Sequence, residues 1–189
     1  MDFSRLSFDF FDHCTNLESL KLKFSKGLEL ESIDQFTTFK NLKKLELSLN
    51  EWSSEVSALI IRKAGNSLTS LNIGEGNPNS TINDDTLITL TTCCPKINSL
   101  SISQISEKSF NMLFSYIKDL KLNTLQIYQI ERTAIKSTEL LEYIEYQNIL
   151  SNFGIKKDDE YWDCYRNYFQ TLLGKRNVRL VIYEPFFRY

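Results

Sequence analysis

Residues Asn41 to Asn50 read NLKKLELSLN, and the phrase inside them, Leu42-x-x-Leu45-x-Leu47, decides the fold. Leu45 and Leu47 alternate with Lys44, Glu46 and Ser48, which is the period of a strand with one buried face. The same phrase stands upstream as Leu17-x-x-Leu20-x-Leu22. Downstream it returns as Leu68-x-x-Leu71-x-Ile73, Ile97-x-x-Leu100-x-Ile102 and Leu122-x-x-Leu125-x-Ile127. Successive first positions lie 25, 26, 29 and 25 residues apart, so five copies carry aliphatics in the same three slots. A period of this size is the mark of a stacked-repeat architecture.

The segments between phrases have helical character. SSEVSALIIRKAG offers a serine cap at Ser53 or Ser54, apolar Val56, Leu59 and Ile60, and Gly65 as a stop. NDDTLITLTTCC offers Asn83 as cap and two aspartates where the helix dipole favours negative charge. SEKSFNMLFSYI follows a cap at Ser106 with Phe110, Leu113, Phe114 and Ile117 at helical spacing. Each unit is thus a strand plus a helix that cannot bury its apolar face alone, and the units must stack. The expected fold is an α/β solenoid with a parallel sheet on the concave side and helices on the convex side.

The two ends depart from the repeat. Phe3-x-x-Leu6-x-Phe8 looks like a strand phrase, but it begins only 14 residues before the next one and reads as a cap strand or as the tail of a repeat whose earlier part is missing. After Tyr128 the pattern breaks. A helix is expected from near Ser137, then an aromatic-rich helix that carries Trp162, Tyr165, Phe169 and Leu172 and ends near Gly174. Asp158, Asp159 and Glu160 supply its negative first turn. VRLVIYEP reads as a last strand stopped by Pro185. The expected organisation is a solenoid of about five repeats over 1–128 and a C-terminal α+β cap over 129–189.

Composition narrows the function classes. The chain has 189 residues, 42% hydrophobic and 24% charged, with a net charge of −2, so no global field draws it to nucleic acid or to an anionic membrane. It contains no long apolar run of membrane-spanning length and no signal-peptide pattern, and four cysteines in a chain this long do not make a disulfide scaffold. A cytoplasmic or nuclear location is the expectation. No enzyme, cofactor or metal site is expected. The one histidine, His13, adjoins Cys14 in sequence and has no third orienting residue. Cys93 and Cys94 have no C-x-x-C spacing for zinc. GEGNPNST, Gly74 to Thr81, lacks the Gly-Lys-Ser/Thr ending of a phosphate loop. A hydrolase or transferase centred on Cys164 is the one enzymatic alternative, and it would need two carboxylates beside that thiol.

The five phrases resemble the leucine-rich repeat family over residues 3–128. Within it they are most similar to the cysteine-containing subclass of F-box proteins, in which a cysteine stands three positions before the first leucine. Cys14 before Leu17 and Cys94 before Ile97 keep that spacing, while Phe39, Gly65 and Asp119 hold the slot in the other copies. The resemblance implies a right-handed α/β horseshoe segment. It also implies a protein–protein interaction scaffold like the substrate-recognition region of a ubiquitin-ligase adaptor, or an interaction module of the same family outside ubiquitination. No F-box is found in the sequence, so a ubiquitin-ligase complex is expected only with an F-box upstream.

The face left for a partner is the polar side of the concave sheet. In strand order its residues are Ser19, Lys21 and Lys23, then Lys44, Glu46 and Ser48, then Ser70, Asn72 and Gly74. Ser99, Ser101 and Ser103 follow, then Thr124, Gln126 and Tyr128. Strands about 4.8 Å apart make these rows one surface, with a basic end at Lys21, Lys23 and Lys44 and a hydroxyl-rich middle. The expected partner is a protein or peptide with an acidic segment at the lysine end.

Overall fold

The computed structural model describes residues 2, 14, 16–34, 39–75, 82–102, 105, 107–128, 138–156 and 160–183. Among the described residues seven strands and six helices alternate. They run β1 (Ser19–Lys23), α1 (Leu30–Asp34), β2 (Lys44–Asn50), α2 (Ser54–Ala64), β3 (Ser70–Glu75), α3 (Asp84–Cys93) and β4 (Ser99–Ile102). Then come α4 (Glu107–Ile117), β5 (Thr124–Ile127), α5 (Thr138–Tyr146), β6 (Asn152–Lys156), α6 (Glu160–Lys175) and β7 (Arg179–Tyr183). All strands are parallel and lie side by side in sequence order, β1 to β7, in one sheet. The fold is α/β, with each crossover a helix and each unit placed beside the one before it.

The repeat phrase sets the register. Leu45 pairs with Leu71, Leu71 with Leu100, and Leu100 with Leu125. Leu47, Ile73, Ile102 and Ile127 form the parallel row beside them. All of these side chains are buried and belong to one continuous core with Ile60, Ile61, Leu87, Leu90, Phe110 and Phe114 of the helices. The first aliphatic of each phrase is buried too in Leu42, Leu68, Ile97 and Leu122. Just after it comes a recurring joint. The amides of Thr69 and Ser70 both donate to the Lys43 carbonyl, those of Asn98 and Ser99 to Thr69, and those of Asn123 and Thr124 to Asn98. Glu18 and Asn123 accept in the same way from the units that follow them. One carbonyl therefore positions two amides of the next unit at every step from β1 to β6.

The sheet does not end at residue 128. The reading of the sequence did not include β6. Its phrase is Leu150-x-x-Phe153-x-Ile155, in which Phe153 pairs with Leu125 and Ile155 with Ile127. The last strand is where VRLVIYEP placed it, and it pairs in parallel with β6. Its first slot is held by Asn177, which has a left-handed φ of 57°. The Asn177 amide donates to Gly174 and the Val178 amide to Leu173, while Val178 and Leu173 are both buried. This is a Schellman ending of α6, with asparagine in the position that glycine usually fills.

The helix ends refine three expectations. Asn83 does cap α3, accepting from the Thr86 amide at 2.9 Å. Ser53 occupies the N-cap of α2, but its side chain makes no capping bond and instead hydrogen-bonds the Glu55 carboxylate. Gly65 does follow the last residue of α2 as its C-cap, with a right-handed helical backbone at φ −50° and ψ −47°. Glycine is required there because a Cβ would lie 2.3 Å from the Cys93 carbonyl oxygen at the end of α3. The short helix α1 was not anticipated. The expectations for Phe3, Leu6 and Phe8, the Ser106 cap, the loop 76–81, Ser137, Asp158, Asp159 and Pro185 lie outside the described residues. So do the side chains of Trp162, Cys164 and Tyr165.

β1 is anchored by a buried side chain of the next unit. Asn50 accepts from the Ser25 amide at 3.0 Å and donates to the Leu22 carbonyl at 2.9 Å. Between those two contacts Phe24 takes a left-handed φ of 51°, which L-residues adopt at a cost. Asn50 and Ser25 are only 6% and 2% exposed, so the Ser25 amide could not turn to water instead.

Candidate functional site

The polar residues of the strands share the face opposite the helices. One row runs Ser19, Lys44, Ser70, Ser99, Thr124, Asn152 and Arg179. The next runs Lys21, Glu46, Asn72, Ser101, Gln126, Gly154 and Val181. Lys23 pairs in register with Ser48, and Ser48 with Gly74; Tyr128 follows the end of β5. Ten candidate residues, Lys21, Lys23, Lys44, Glu46, Ser70, Asn72, Ser99, Ser101, Gln126 and Tyr128, are thus brought to one face. Ser103 lies outside the described residues. Asn152, Gly154, Arg179 and Val181 extend the surface beyond the limit that the sequence suggested.

The basic end differs from its sequence reading. Lys21 Nζ lies 3.2 Å and Lys23 Nζ 2.6 Å from the Glu46 carboxylate, which also accepts from Asn72 Nδ2 at 3.3 Å. The carboxylate is sheltered, at 15% side-chain exposure, beneath lysines at 67% and 40%. Burial opposes its ionisation, but hydrogen bonds from Lys23 and Lys21 and their charges outweigh it, and the carboxyl is held below the usual range. Lys21 and Lys23 are therefore already engaged with an internal acid rather than both presented to a partner. The excess positive charge comes from two ammonium groups sharing one carboxylate and from the exposed Lys44 beside them.

The middle of the face is a short polar chain. Ser101, only 7% exposed, donates to Gln126 Oε1 at 2.8 Å, and Tyr128 OH donates to the same oxygen at 3.1 Å. Next to it Asn152 Nδ2 donates to Thr124 Oγ1 at 3.3 Å. Bonds of this kind fix side-chain rotamers, so the surface is pre-ordered and a ligand would lose less entropy in ordering it. Ser70 and Ser99 are short, and Gly154 has no side chain, which leaves room for close approach of another backbone.

Cys94 is fully buried, and burial first, with the neighbouring Cys93 second, pushes its thiol up to about 12, so it supplies no thiolate near neutral pH. It packs as a small apolar group in the slot where the repeat spacing put it. Cys93 is half-buried at the end of α3. His13 lies outside the described residues. A shallow depression at the ends of β2 and β3 is lined by Asn50, Trp52, Ser54 and Ser57 among others. Their polar groups have internal partners: Trp52 Nε1 donates to Ser57 Oγ at 3.0 Å, and Asn83 Nδ2 to Ser54 Oγ at 2.9 Å. Among the described residues no three His, Cys, Asp or Glu side chains group as metal ligands, and no helix is long and apolar enough to cross a membrane.

Comparison with family models, with curated proteins and with solved structures finds no match for this chain.

Proposed function

We propose that the chain is a leucine-rich-repeat solenoid, a right-handed α/β horseshoe segment whose polar sheet face is concave and binds another protein. In this reading it is a protein–protein interaction scaffold, similar to the substrate-recognition region of an F-box ubiquitin-ligase adaptor. The observation that carries it is the register: one aliphatic L-x-x-L-x-L-type phrase for each of β1 to β5, parallel and in sequence order, with a polar row between the apolar ones. A pre-ordered polar surface across β1 to β6 suits an extended polypeptide better than a small molecule, which needs an enclosing pocket. The partner segment is acidic where it crosses Lys21, Lys23 and Lys44.

The test is site-specific photo-crosslinking in cells, with the reactive residue placed at Ser99 on the open face or at Ile88 on the outer side of α3. Capture of the same discrete polypeptide from Ser99 and not from Ile88 supports the reading, and the reverse pattern refutes it. Charge reversal of Lys21 and Lys44 should weaken capture at low salt, where surface electrostatics are least screened. Co-purification with cullin subunits separates an adaptor role from an interaction module outside ubiquitination.

A further inference from the structure

The core's buried rows run through five strands, β2 to β6, and are left unfinished at β7. In the row Leu47, Ile73, Ile102, Ile127, Ile155 every side chain is at most 4% exposed, yet Ile182, next in register, is 41% exposed. Leu180, beside the fully buried Phe153, is only half-buried, and so is Val181 on the other face. Among the described residues no strand lies beyond β7.

The backbone of this edge is also set to pair. The Arg179 amide donates to the Ser151 carbonyl, so the peptide groups of residue 179 face β6. Backbone groups alternate sides along a strand, and those of Leu180 and Ile182 therefore point away from the sheet. An open row of this kind is a template for another strand.

We propose that the β7 edge is a dimer interface, filled by β7 of a second copy in antiparallel pairing about a two-fold axis at Val181. The register is self-complementary. With Val181 opposite its own copy, Leu180 faces the partner's Ile182 and Ile182 the partner's Leu180, so the outward backbone groups form two reciprocal hydrogen-bonded pairs. The same register places the half-exposed aliphatics against each other on the helix side and completes both buried rows. It also sends the two Arg179 residues to opposite ends of the junction, about 14 Å apart along four residues. An isologous contact of this sort closes at two copies. The alternative, β7 of one copy beside β1 of the next in parallel, would grow into open filaments. It meets a β1 flank where Asp2 already bridges Lys26. A contact centred on five residues falls short of the about 800 Å² per partner of a standard interface, so the dimer is of modest affinity, with a Kd of micromolar order.

Val181 pairs with itself and its side chain is half-exposed in one copy, which makes a charge-swap test available without disturbing the core. Sedimentation velocity of the full chain over a concentration series should show a reversible monomer–dimer equilibrium. Val181→Lys and Val181→Glu should each be monomeric, with circular dichroism and thermal midpoint close to those of the unaltered chain. An equimolar mixture of the two should recover the dimer, because unlike charges directly opposite attract and like charges repel. A chain that stays monomeric throughout overturns the proposal and assigns the edge to another occupant, residues 184–189 or a different protein. Filaments in place of dimers, or charge variants that dimerise alone as readily as when mixed, overturn it equally.

Discussion

Gly65 and Gly174 should respond to the same substitution with opposite signs. At Gly65 an added Cβ would sit 2.3 Å from the Cys93 carbonyl oxygen, 2.9 Å from its carbonyl carbon and 3.0 Å from its Cβ. An ordinary carbon–oxygen approach is about 3.3 Å, so relief needs a shift of about 1 Å between the ends of α2 and α3. The obstacle is backbone, and α3 is tied on one side by the buried Cys94 and on the other by Asn83 bonded to Ser54. Overpacking of this kind costs about 1–3 kcal/mol. The stiffer unfolded chain of an alanine variant returns about 0.4–1 kcal/mol, which leaves Gly65→Ala destabilised by up to about 2.6 kcal/mol. At Gly174, exposed and near the end of α6, a Cβ would meet nothing within 4 Å. Here helix propensity alone operates, and Gly174→Ala should gain about 0.5–1 kcal/mol. Urea denaturation followed by circular dichroism reads both, the first variant with a lower midpoint and the second with a higher one. Cys93→Ala in the Gly65→Ala background should not restore stability, because the blocking atoms that matter belong to the main chain. A Gly65→Ala midpoint at or above that of the unaltered chain would refute the close-approach argument.

Three further outcomes follow from the same reasoning. Asn50→Leu should lose about 1–3 kcal/mol in the same denaturation assay, since it leaves the buried Ser25 amide unpaired and takes its bond from the half-buried Leu22 carbonyl. A loss below about 0.5 kcal/mol would show that water reaches that turn. Asn177→Gly should be neutral to stabilising and Asn177→Ala destabilising by about 1 kcal/mol, because the left-handed φ of 57° suits glycine and penalises alanine; equal midpoints would count against the helix ending described. Glu46 has a carboxyl held below its ordinary 4.5, so it contributes stability above that value which is lost as pH falls through the lower folded-state value. The acid limb of a pH–stability curve should therefore flatten in Glu46→Gln, by a modest amount because Lys21 and Lys23 are solvent-exposed.

The sequence revealed the units whose strand slots are aliphatic and concealed those whose slots are not. Leu45, Leu71, Leu100 and Leu125 announced β2 to β5 because burial of one face demands the same residue class in each. At β6 the slot holds Phe153, which stacks on Phe169 at a centroid separation of 6.2 Å and so fills the core by an aromatic pair instead of an aliphatic row. β7 was legible as a strand in VRLVIYEP, and only its place in the repeat was hidden, because the first slot holds Asn177 in the left-handed conformation of the helix ending. Helix α1 escaped notice because its five residues bury only Ile33. The candidate face was legible as a set of rows, since a fixed step places Lys21, Glu46 and Asn72 side by side. What the rows concealed was occupancy: the spacing that aligned Glu46 with Lys21 also implied an ion pair, and the lysines were counted without it. The Ser101–Gln126–Tyr128 chain depends on rotamers and could not be read from spacing.

The carbonyl joint after the first slot of each phrase has a consequence for how such a chain can change. Glu18, Lys43, Thr69, Asn98 and Asn123 each hand two amides of the following unit their starting position. The joint fixes where a unit begins but says nothing about how long it is, which is why steps of 25 and 29 residues coexist without disturbing the register. A cut at one joint and a splice at another rejoins equivalent backbone positions. The chain is therefore divisible at these points into equivalent modules: deleting, duplicating or exchanging a whole unit would shorten or lengthen the open face by one strand at a time.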